Sequence, residues 1–359
     1  WKSAMFFSPS LVEEPQAVDF LQLYIPANPF FSLANNIVPA VVLFSILIGI
    51  ALIGIEKKQP LLDVLSVIMK VMTKVTDFVM KLAPLGVFAI AASAAGTLDF
   101  EELGRLQVYL LSQMIAAIFL SFWVLPGLVA NLTPLPYGKI MRSVRGALVT
   151  AFATGNSMII LPLLTASGRK LLQEAELADE DTDSAIEVII PTSYTFPSCG
   201  LLLSLAFIPF AGWFVGSELP LAQYPGFLVS GMASFFGGTM VGIPFLLDLF
   251  RIPADMFKLF VTVDVFTGRL GTMTAAMHMW SLGLLGSCAV AGHLRIHWGK
   301  LTGYLAVCAL VGFLALGGTR LLFTYGINPE YTKYQAFVEM ALRFERVKQT
   351  ILELNPDEK

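Results

Sequence analysis

The sequence predicts an all-α polytopic membrane protein. Of its 359 residues, 56% are hydrophobic and only 14% are charged, whereas an ordinary soluble domain carries roughly 25% charged residues. Several apolar segments also reach the length of about 20 residues that a helix needs to cross a bilayer. A formal net charge of −3 provides no basic surface for nucleic acid. We therefore expect the lipid bilayer, and no nucleic acid, as a partner.

The apolar segments divide into continuous and interrupted candidates for membrane spans. Continuous spans are predicted over 36–55, 105–130, 186–215 and 301–323. The segment 256–292 is also long enough to span, although it contains Asp264 and Arg269. A further stretch, 61–96, begins as an amphipathic helix.

Two apolar segments, 147–167 and 226–250, are interrupted near their middle. The interruptions are Gly155-Asn156-Ser157 and Gly237-Gly238-Thr239. An unwound backbone is stable at membrane depth only where protein or a water-filled cavity covers it, and paired interrupted segments indicate a transporter binding site. We predict two re-entrant hairpins, with simple kinked spans as the alternative.

The distribution of basic residues predicts the orientation in the membrane. Basic clusters occur at 56–58, 139–145, 169–170 and 293–300, and basic loops face the cytoplasm. All four lie on one side only if 147–167 and 226–250 return to the side from which they enter. Otherwise Arg169 would lie opposite Arg142. The expected location is the cytoplasmic membrane.

Cysteine and histidine form no pattern typical of a metal site or an enzyme. The residues concerned are Cys199, Cys288, Cys308, His278, His293 and His297. They are far apart or lack the spacing of metal ligands. We expect no catalytic residue, no metal site and no cofactor.

Three strings of residues resemble a known family. They are Ile25-Pro-Ala-Asn-Pro-Phe-Phe, Ala83-Pro-Leu-Gly-Val-Phe-Ala and Thr150-Ala-Phe-Ala-Thr, the last followed by Leu161-Pro162. In this order they resemble the dicarboxylate/amino acid:cation symporters, which include glutamate and aspartate transporters. The resemblance covers about residues 11–292 and begins near the family's fourth span, so we expect the first three spans to be absent or not included in this sequence.

The resemblance implies an elevator-type core with two re-entrant helical hairpins and discontinuous helices, held in a homotrimer. The family's hairpins fall at about 147–167 and 226–250. We expect four divisions, the last two of which lie beyond the resemblance: 1–146 (an external segment and scaffold or transport spans), 147–292 (the transport core), 293–325 (an extra span) and 326–359 (an amphipathic, external tail).

Arg269 and Asp264 are the main candidate site residues. Charged side chains within a span are expensive and indicate function. The resemblance implies that Arg269 pairs with the acidic side chain of the substrate, and its planar fork suits a carboxylate. An internal pair with Asp264 is the alternative and would need a distortion near Gly268. Asp264 could bind a substrate amine or a cation, but the family's aspartate precedes the arginine by three residues, not five.

The predicted hairpin tips supply further candidates. The resemblance implies that the first tip binds a carboxylate, for which Asn156 and Ser157 retain donors. At the second tip, Gly238 and Thr239 could form a flexible gate. Thr272 completes the predicted substrate-binding set. The alternative is tight packing of small residues between helices.

The family's cation-binding residues are largely missing. The family motif N-M-D-G-T corresponds here to Thr195–Leu201, and Met273 and Met277 replace an asparagine and an aspartate. Sodium prefers oxygen ligands to a thioether. The coupling ion therefore remains open between proton and sodium, with Thr195, Asp264 and His278 as candidates. A structural, hydrogen-bonded His278 is the alternative.

The C-terminal tail contains an apolar stripe with heptad spacing. The stripe consists of Phe337, Met340, Phe344, Val347, Ile351 and Leu354. A short trimeric stalk and an amphipathic helix lying on the membrane or a partner both satisfy this pattern. We also expect a continuation into an external solute-binding domain.

These features predict a secondary transporter that moves acidic amino acids or dicarboxylates by an elevator mechanism without the family's sodium sites. Its ligand would be a small anionic solute. The alternative is a transport-like membrane receptor or scaffold that binds a solute without translocating it.

Overall fold

A computed structural model describes residues 24–321, except positions 26–27, 36, 83–84, 87, 90–91, 93–95 and 97–99. All regular structure in these residues is helical. The N-terminal residues 1–23 and the predicted tail at 326–359 lie outside the described part of the chain.

Short connections join most of the described helices, except for the partly described stretch 81–99. In chain order they are α1 (Pro29–Ala34), α2 (Val38–Ile53), α3 (Gln59–Met80), α4 (Phe100–Phe119), α5 (Leu125–Leu132), α6 (Tyr137–Thr154), α7 (Ser157–Glu174), α8 (Glu180–Ser193), α9 (Cys199–Leu202), α10 (Phe207–Val215), α11 (Tyr224–Ser234), α12 (Thr239–Leu249), α13 (Met256–Val290) and α14 (Trp298–Leu321).

The 35-residue helix α13 is the central element of the fold. It packs against helices α4 to α9, and its Met277 and Trp280 are fully buried. One apolar cluster joins its second half to α6, α7 and α8. A second cluster joins its first half to α10 and α12. Helix α13 is therefore largely enclosed by other segments of the protein, although Val265 and Leu282 on it are exposed.

Three described helices are long and apolar enough to cross a membrane. They are Leu106–Leu132, Met256–Val290 and Trp298–Ala315, which match the predicted segments 105–130, 256–292 and 301–323. The prediction of one continuous span over 186–215 is wrong.

The break in 186–215 has a local cause. Helix α8 ends at Ser193, and the chain re-enters a helix at Cys199. Pro197 interrupts the backbone hydrogen bonding of the helix because it has no N–H group. Ser198 then caps the new helix, since its hydroxyl oxygen accepts a hydrogen bond from the N–H of Leu201 at 3.2 Å.

Both predicted interruptions occur in the structure as breaks between helices. Gly155, with φ of +63°, ends α6, and Ser157 begins α7. Gly238, with φ of +77°, separates the turn at Phe235–Gly237 from α12. Glycine suits both positions because positive φ is strained for residues with a Cβ.

A π-turn at Leu120–Val124 joins α4 to α5. The hydroxyl of Tyr304, on α14, donates hydrogen bonds to the carbonyls of Trp123 at 2.6 Å and Val124 at 3.0 Å. Gly127 leaves room for this approach, since a Cβ there would lie 2.1 Å from the Tyr304 oxygen. This contact is one of those that attach α14, which also packs against α4 and α5.

Candidate functional site

A cavity of about 370 Å³ lies between the two helix breaks and the middle of α13. The breaks contribute Thr154, Gly155, Ser157 and Thr239. Helix α13 contributes Asp264, Gly268, Arg269 and Thr272. Segments that are far apart in the sequence thus meet at one polar cavity.

Arg269 is held across the first break. Its side chain is exposed to the cavity, and Nη1 donates a hydrogen bond to the carbonyl of Ala153 at 3.1 Å. A Cβ at Gly155 would lie 3.5 Å from Cγ of Arg269. One guanidinium nitrogen is thus occupied, and the guanidinium keeps further N–H donors for a ligand.

Asp264 also lies on the cavity, five residues before Arg269 on α13. Its carboxylate extends over Gly268, where an added Cβ would lie 3.2 Å from Oδ1. Within the described residues, no ion pair within 4.0 Å joins Asp264 to Arg269. Helix α13 also runs without a break through Gly268, so the distortion required for an internal charge pair is not seen.

The first break presents the N-terminus of α7 to the cavity. Ser157, the first residue of α7, lines the cavity. Asn156 does not line it, and its Oδ1 instead accepts a hydrogen bond from the N–H of Met158 at 2.9 Å. In this structure Asn156 is therefore an N-cap, and the partial positive charge of the helix end lies at the cavity.

The second break is arranged similarly. Thr239, the first residue of α12, lines the cavity, whereas Gly238 only forms the turn. The carbonyl of Gly238 accepts the N–H of Gly242 at 2.8 Å, which closes the first turn of α12. Two helix N-termini therefore meet at one cavity.

The α9 segment supplies cavity residues that the sequence does not predict. Ser198 and Gly200 line the cavity. A Cβ at Gly200 would lie 1.9 Å from the carbonyl oxygen of Gly271, so the two backbones approach as only glycine permits. Two glycines in separate helices give no pairing signal in one sequence, although Gly200 is the retained glycine of the degenerate motif.

Two predicted cation or proton candidates lie away from the cavity lining. The Thr195 hydroxyl donates to the carbonyl of Thr192 at 2.7 Å. His278 lies further along α13, and its Nδ1 is buried with no hydrogen-bond partner among the described residues. Met273 and Met277 are buried in the apolar cluster around α13. Asp264 is thus the predicted cation candidate that the structure places at the cavity.

Thr272 reaches the cavity with its hydroxyl partly engaged. The hydroxyl donates to the carbonyl of Gly268 at 2.9 Å. Its oxygen keeps acceptor capacity towards the cavity. The part of the chain that the structure describes contains no group of three or more His, Cys, Asp or Glu side chains that could hold a metal ion.

Comparison with known proteins shows the family. Residues 5–285 match the sodium:dicarboxylate symporter family. The chain is 30% identical over 203 residues to the proton/glutamate-aspartate symporter of Escherichia coli, covering 55% of this chain and 44% of that protein. It is 29% identical over 238 residues to the proton/sodium-glutamate symport protein of Geobacillus stearothermophilus, covering 65% of this chain and 53% of that protein.

A C4-dicarboxylate transport protein of Rhodospirillum rubrum is 28% identical over 188 residues, covering 52% of this chain and 40% of that protein. The chain spans about half, or less, of the length of these curated relatives. The family match agrees with the apolar helices of a multi-pass membrane protein. The chain belongs to the sodium:dicarboxylate symporter family.

Proposed function

We propose that the protein is a secondary transporter that carries acidic amino acids or dicarboxylates across the cytoplasmic membrane. The observation that carries this proposal is the convergence of Arg269 with the N-termini of α7 and α12 on one cavity. A guanidinium and two helix N-termini favour anions in such a place. The names of the relatives, which include glutamate, aspartate and C4-dicarboxylates, support the same solute class.

Each end of a dianionic solute has a partner in this arrangement. Arg269 binds one carboxylate with the N–H donors that Ala153 leaves free. The second carboxylate binds at the N-terminus of α7, where the Ser157 hydroxyl lies. Asp264 receives the ammonium group when the solute is an amino acid, because it is an anionic group on the same cavity.

The proposed mechanism is of the elevator type, with residues 147–292 as the mobile core of a homotrimer and 293–325 as the extra span. The two interrupted segments act as re-entrant hairpins. In this mechanism the break at Gly238 opens and closes the cavity, because glycine tolerates large changes of backbone angle. The helix breaks on both sides of the cavity support this assignment.

Coupling is proposed to use a proton and not the family's sodium sites. The burial of Met273 and Met277 supports this, as does the engagement of the Thr195 hydroxyl by Thr192. Asp264 is the proposed proton-carrying group when the solute is a dicarboxylate, since its carboxylate can bind either a proton or a cation but not both at once. The alternative to proton coupling is a sodium site made from ligands other than the family's, with Asp264 among them.

Uptake into liposomes tests the function. We expect purified protein to accumulate labelled aspartate, glutamate or succinate under an inward proton gradient, with little dependence on sodium or potassium gradients. Uptake that needs a sodium gradient would overturn the proton coupling. Binding without uptake under any gradient would replace the transporter by a solute receptor.

Arg269→Ala tests the site. We expect the variant to lose binding of all three solutes, because no other described cation lines the cavity. Arg145→Ala, an exposed position on α6, is the matched control and should bind normally. Normal binding by Arg269→Ala would contradict the assignment.

A further inference from the structure

The ends of three candidate membrane spans meet at one edge of the fold. The spans Leu106–Leu132 and Met256–Val290 end there, and the span Trp298–Ala315 begins there. Arg295 lies in the connection between the last two spans, and its N–H donates a hydrogen bond to the carbonyl of Leu132 at 2.9 Å. This contact brings the three ends together, which marks the level of a membrane surface.

The connection from α13 to α14 carries unpaired positive charge at this level. Arg295 and Lys300 are exposed, and neither forms an ion pair with a described residue. No Asp or Glu occurs between 265 and 329. The connection therefore has no acidic residue of its own to neutralise these two side chains.

The junction between α5 and α6 adds to this charge. The hydrogen bond to Leu132 places the connection beside that junction. Lys139, on the first turn of α6, is exposed, and the stretch 133–150 also lacks Asp and Glu. Basic residues from two parts of the chain thus lie where the spans end.

The basic residues of α7 are in a different situation, because acidic partners surround them. Arg169 pairs with Asp183, at 3.3 Å, and with Glu187. Lys170 pairs with Glu174 at 3.8 Å. The acidic run after α7 thus neutralises basic side chains near it, whereas the charge on the connection to α14 remains unpaired among the described residues.

An apolar face begins where the basic connection ends. Trp298, the first residue of α14, is 71% exposed, and Ile296 and Leu305 are also exposed. Tryptophan is typical of the boundary between water and membrane, and Leu305 lies about two turns further along the span. Positive charge followed by an exposed apolar helix fits a phospholipid better than a soluble anion.

We propose that Arg295 and Lys300 bind the headgroup of an anionic phospholipid whose acyl chains lie along the exposed face of α14. Lys139 contributes charge from the other side of the contact with Leu132. The basic clusters predict the cytoplasmic side for this surface, and the cytoplasmic leaflet carries anionic lipids. These residues do not line the solute cavity, so the proposal does not depend on transport.

Native mass spectrometry of the purified protein in detergent tests the proposal without any solute. The probes are phosphatidylglycerol and phosphatidylcholine with the same acyl chains. We expect wild type to bind phosphatidylglycerol more tightly, and Arg295→Gln and Lys300→Gln each to weaken that binding roughly fivefold, the effect of one basic residue at an anionic surface. Phosphatidylcholine binding should not change.

Two double variants are the controls. Lys170→Gln with Lys258→Gln removes the same charge from exposed residues that are already in ion pairs, and should keep the preference for phosphatidylglycerol. Arg295→Lys with Lys300→Arg keeps the charge at the site and should keep the preference too.

Three results would overturn the proposal. They are equal binding of the two lipids by wild type, an unchanged preference in Arg295→Gln with Lys300→Gln, and displacement of phosphatidylglycerol by an equal concentration of soluble glycerol phosphate. The last result would assign the surface to a soluble anion. The first and third use wild type alone, so they decide the question even if the variants do not fold.

Discussion

At the scale of single residues, Gly200 sets how closely the α9 segment approaches α13. We expect Gly200→Ala to destabilise the protein by more than the roughly 1–3 kcal/mol typical of overpacking, because the added Cβ would lie 1.9 Å from the carbonyl oxygen of Gly271. It should also weaken solute binding, since Gly200 lines the cavity. Thermal unfolding and equilibrium binding measure the two effects.

The matched control is Gly146→Ala. Gly146 lies inside α6, and a Cβ there would have no atom within 4 Å, so we expect unchanged or slightly higher stability. If Gly200→Ala were as stable as Gly146→Ala, the close approach of the two backbones would be incorrect.

The cavity residues show what one sequence can and cannot indicate at this scale. Arg269 and Asp264 were predictable because charges are rare within apolar spans, and both lie at the cavity. Ser157 and Thr239 were predictable as small polar residues at helix breaks. The approach of Gly200 to Gly271 is a tertiary property, since it depends on how two helices pack and leaves no periodic signal.

At the scale of elements, the hydrogen bonds at the π-turn before α5 help to attach α14. We expect Tyr304→Phe to lower stability by about 0.5–1.5 kcal/mol, the net value of a hydrogen bond, because the carbonyls of Trp123 and Val124 lose their hydroxyl donor. Tyr224→Phe serves as the control, because the ring of Tyr224 packs against Phe227 on its own helix, α11. Thermal unfolding in detergent is the measurement.

The neighbouring glycine provides an independent test of the same contact. Gly127→Ala should cost more than Tyr304→Phe, because its Cβ would displace both the hydroxyl and the ring of Tyr304. The two variants should be non-additive when combined, since each removes the same contact. Strict additivity would show that Tyr304 does not lie against the π-turn.

The start of α8 should respond to pH. The Asp179 carboxylate accepts the N–H of Thr182 at 2.7 Å, and the Thr182 hydroxyl oxygen accepts the N–H of Asp179 at 2.8 Å. The backbone hydrogen bond from Thr182 holds the pKa of Asp179 below its ordinary value. The cap therefore contributes fully above the ordinary aspartate pKa and is lost as the pH falls through the lowered one.

Hydrogen exchange of amides 180–184 measures this effect. We expect protection to persist at the ordinary aspartate pKa and to disappear at lower pH, whereas Asp179→Ala should lack it at neutral pH. Asp181→Asn, in the first turn but not the cap, should keep the wild-type profile. Loss of protection at or above the ordinary pKa would contradict the capping geometry.

The helices were predictable to different degrees. The breaks at Gly155 and Gly238 follow from glycine in an apolar run, and both positions have positive φ. The π-turn at Leu120–Val124 has no such signal, because its stability depends on donors from distant residues such as Tyr304. Pro197 marks the break before Cys199 in the sequence, but the high hydropathy of 186–215 favours one continuous span.

At the scale of the whole molecule, the cavity couples segments that no local interaction holds together. Arg269 and Ala153, joined by a hydrogen bond, are 116 residues apart, and Thr239 belongs to a third segment. A solute that contacts all three must order them simultaneously. We therefore expect solute binding to stabilise the two helix breaks together.

Hydrogen exchange with and without saturating aspartate tests this cooperation. We expect slower exchange at both breaks, 154–159 and 236–243, because the bound solute removes the openings that expose their amides. Helix α3, which does not line the cavity, serves as the internal control and should exchange unchanged. Arg269→Ala should lose the protection at both breaks together, because Arg269 binds the solute that contacts both of them. Protection confined to one break would show that the two helix N-termini do not act on a common ligand.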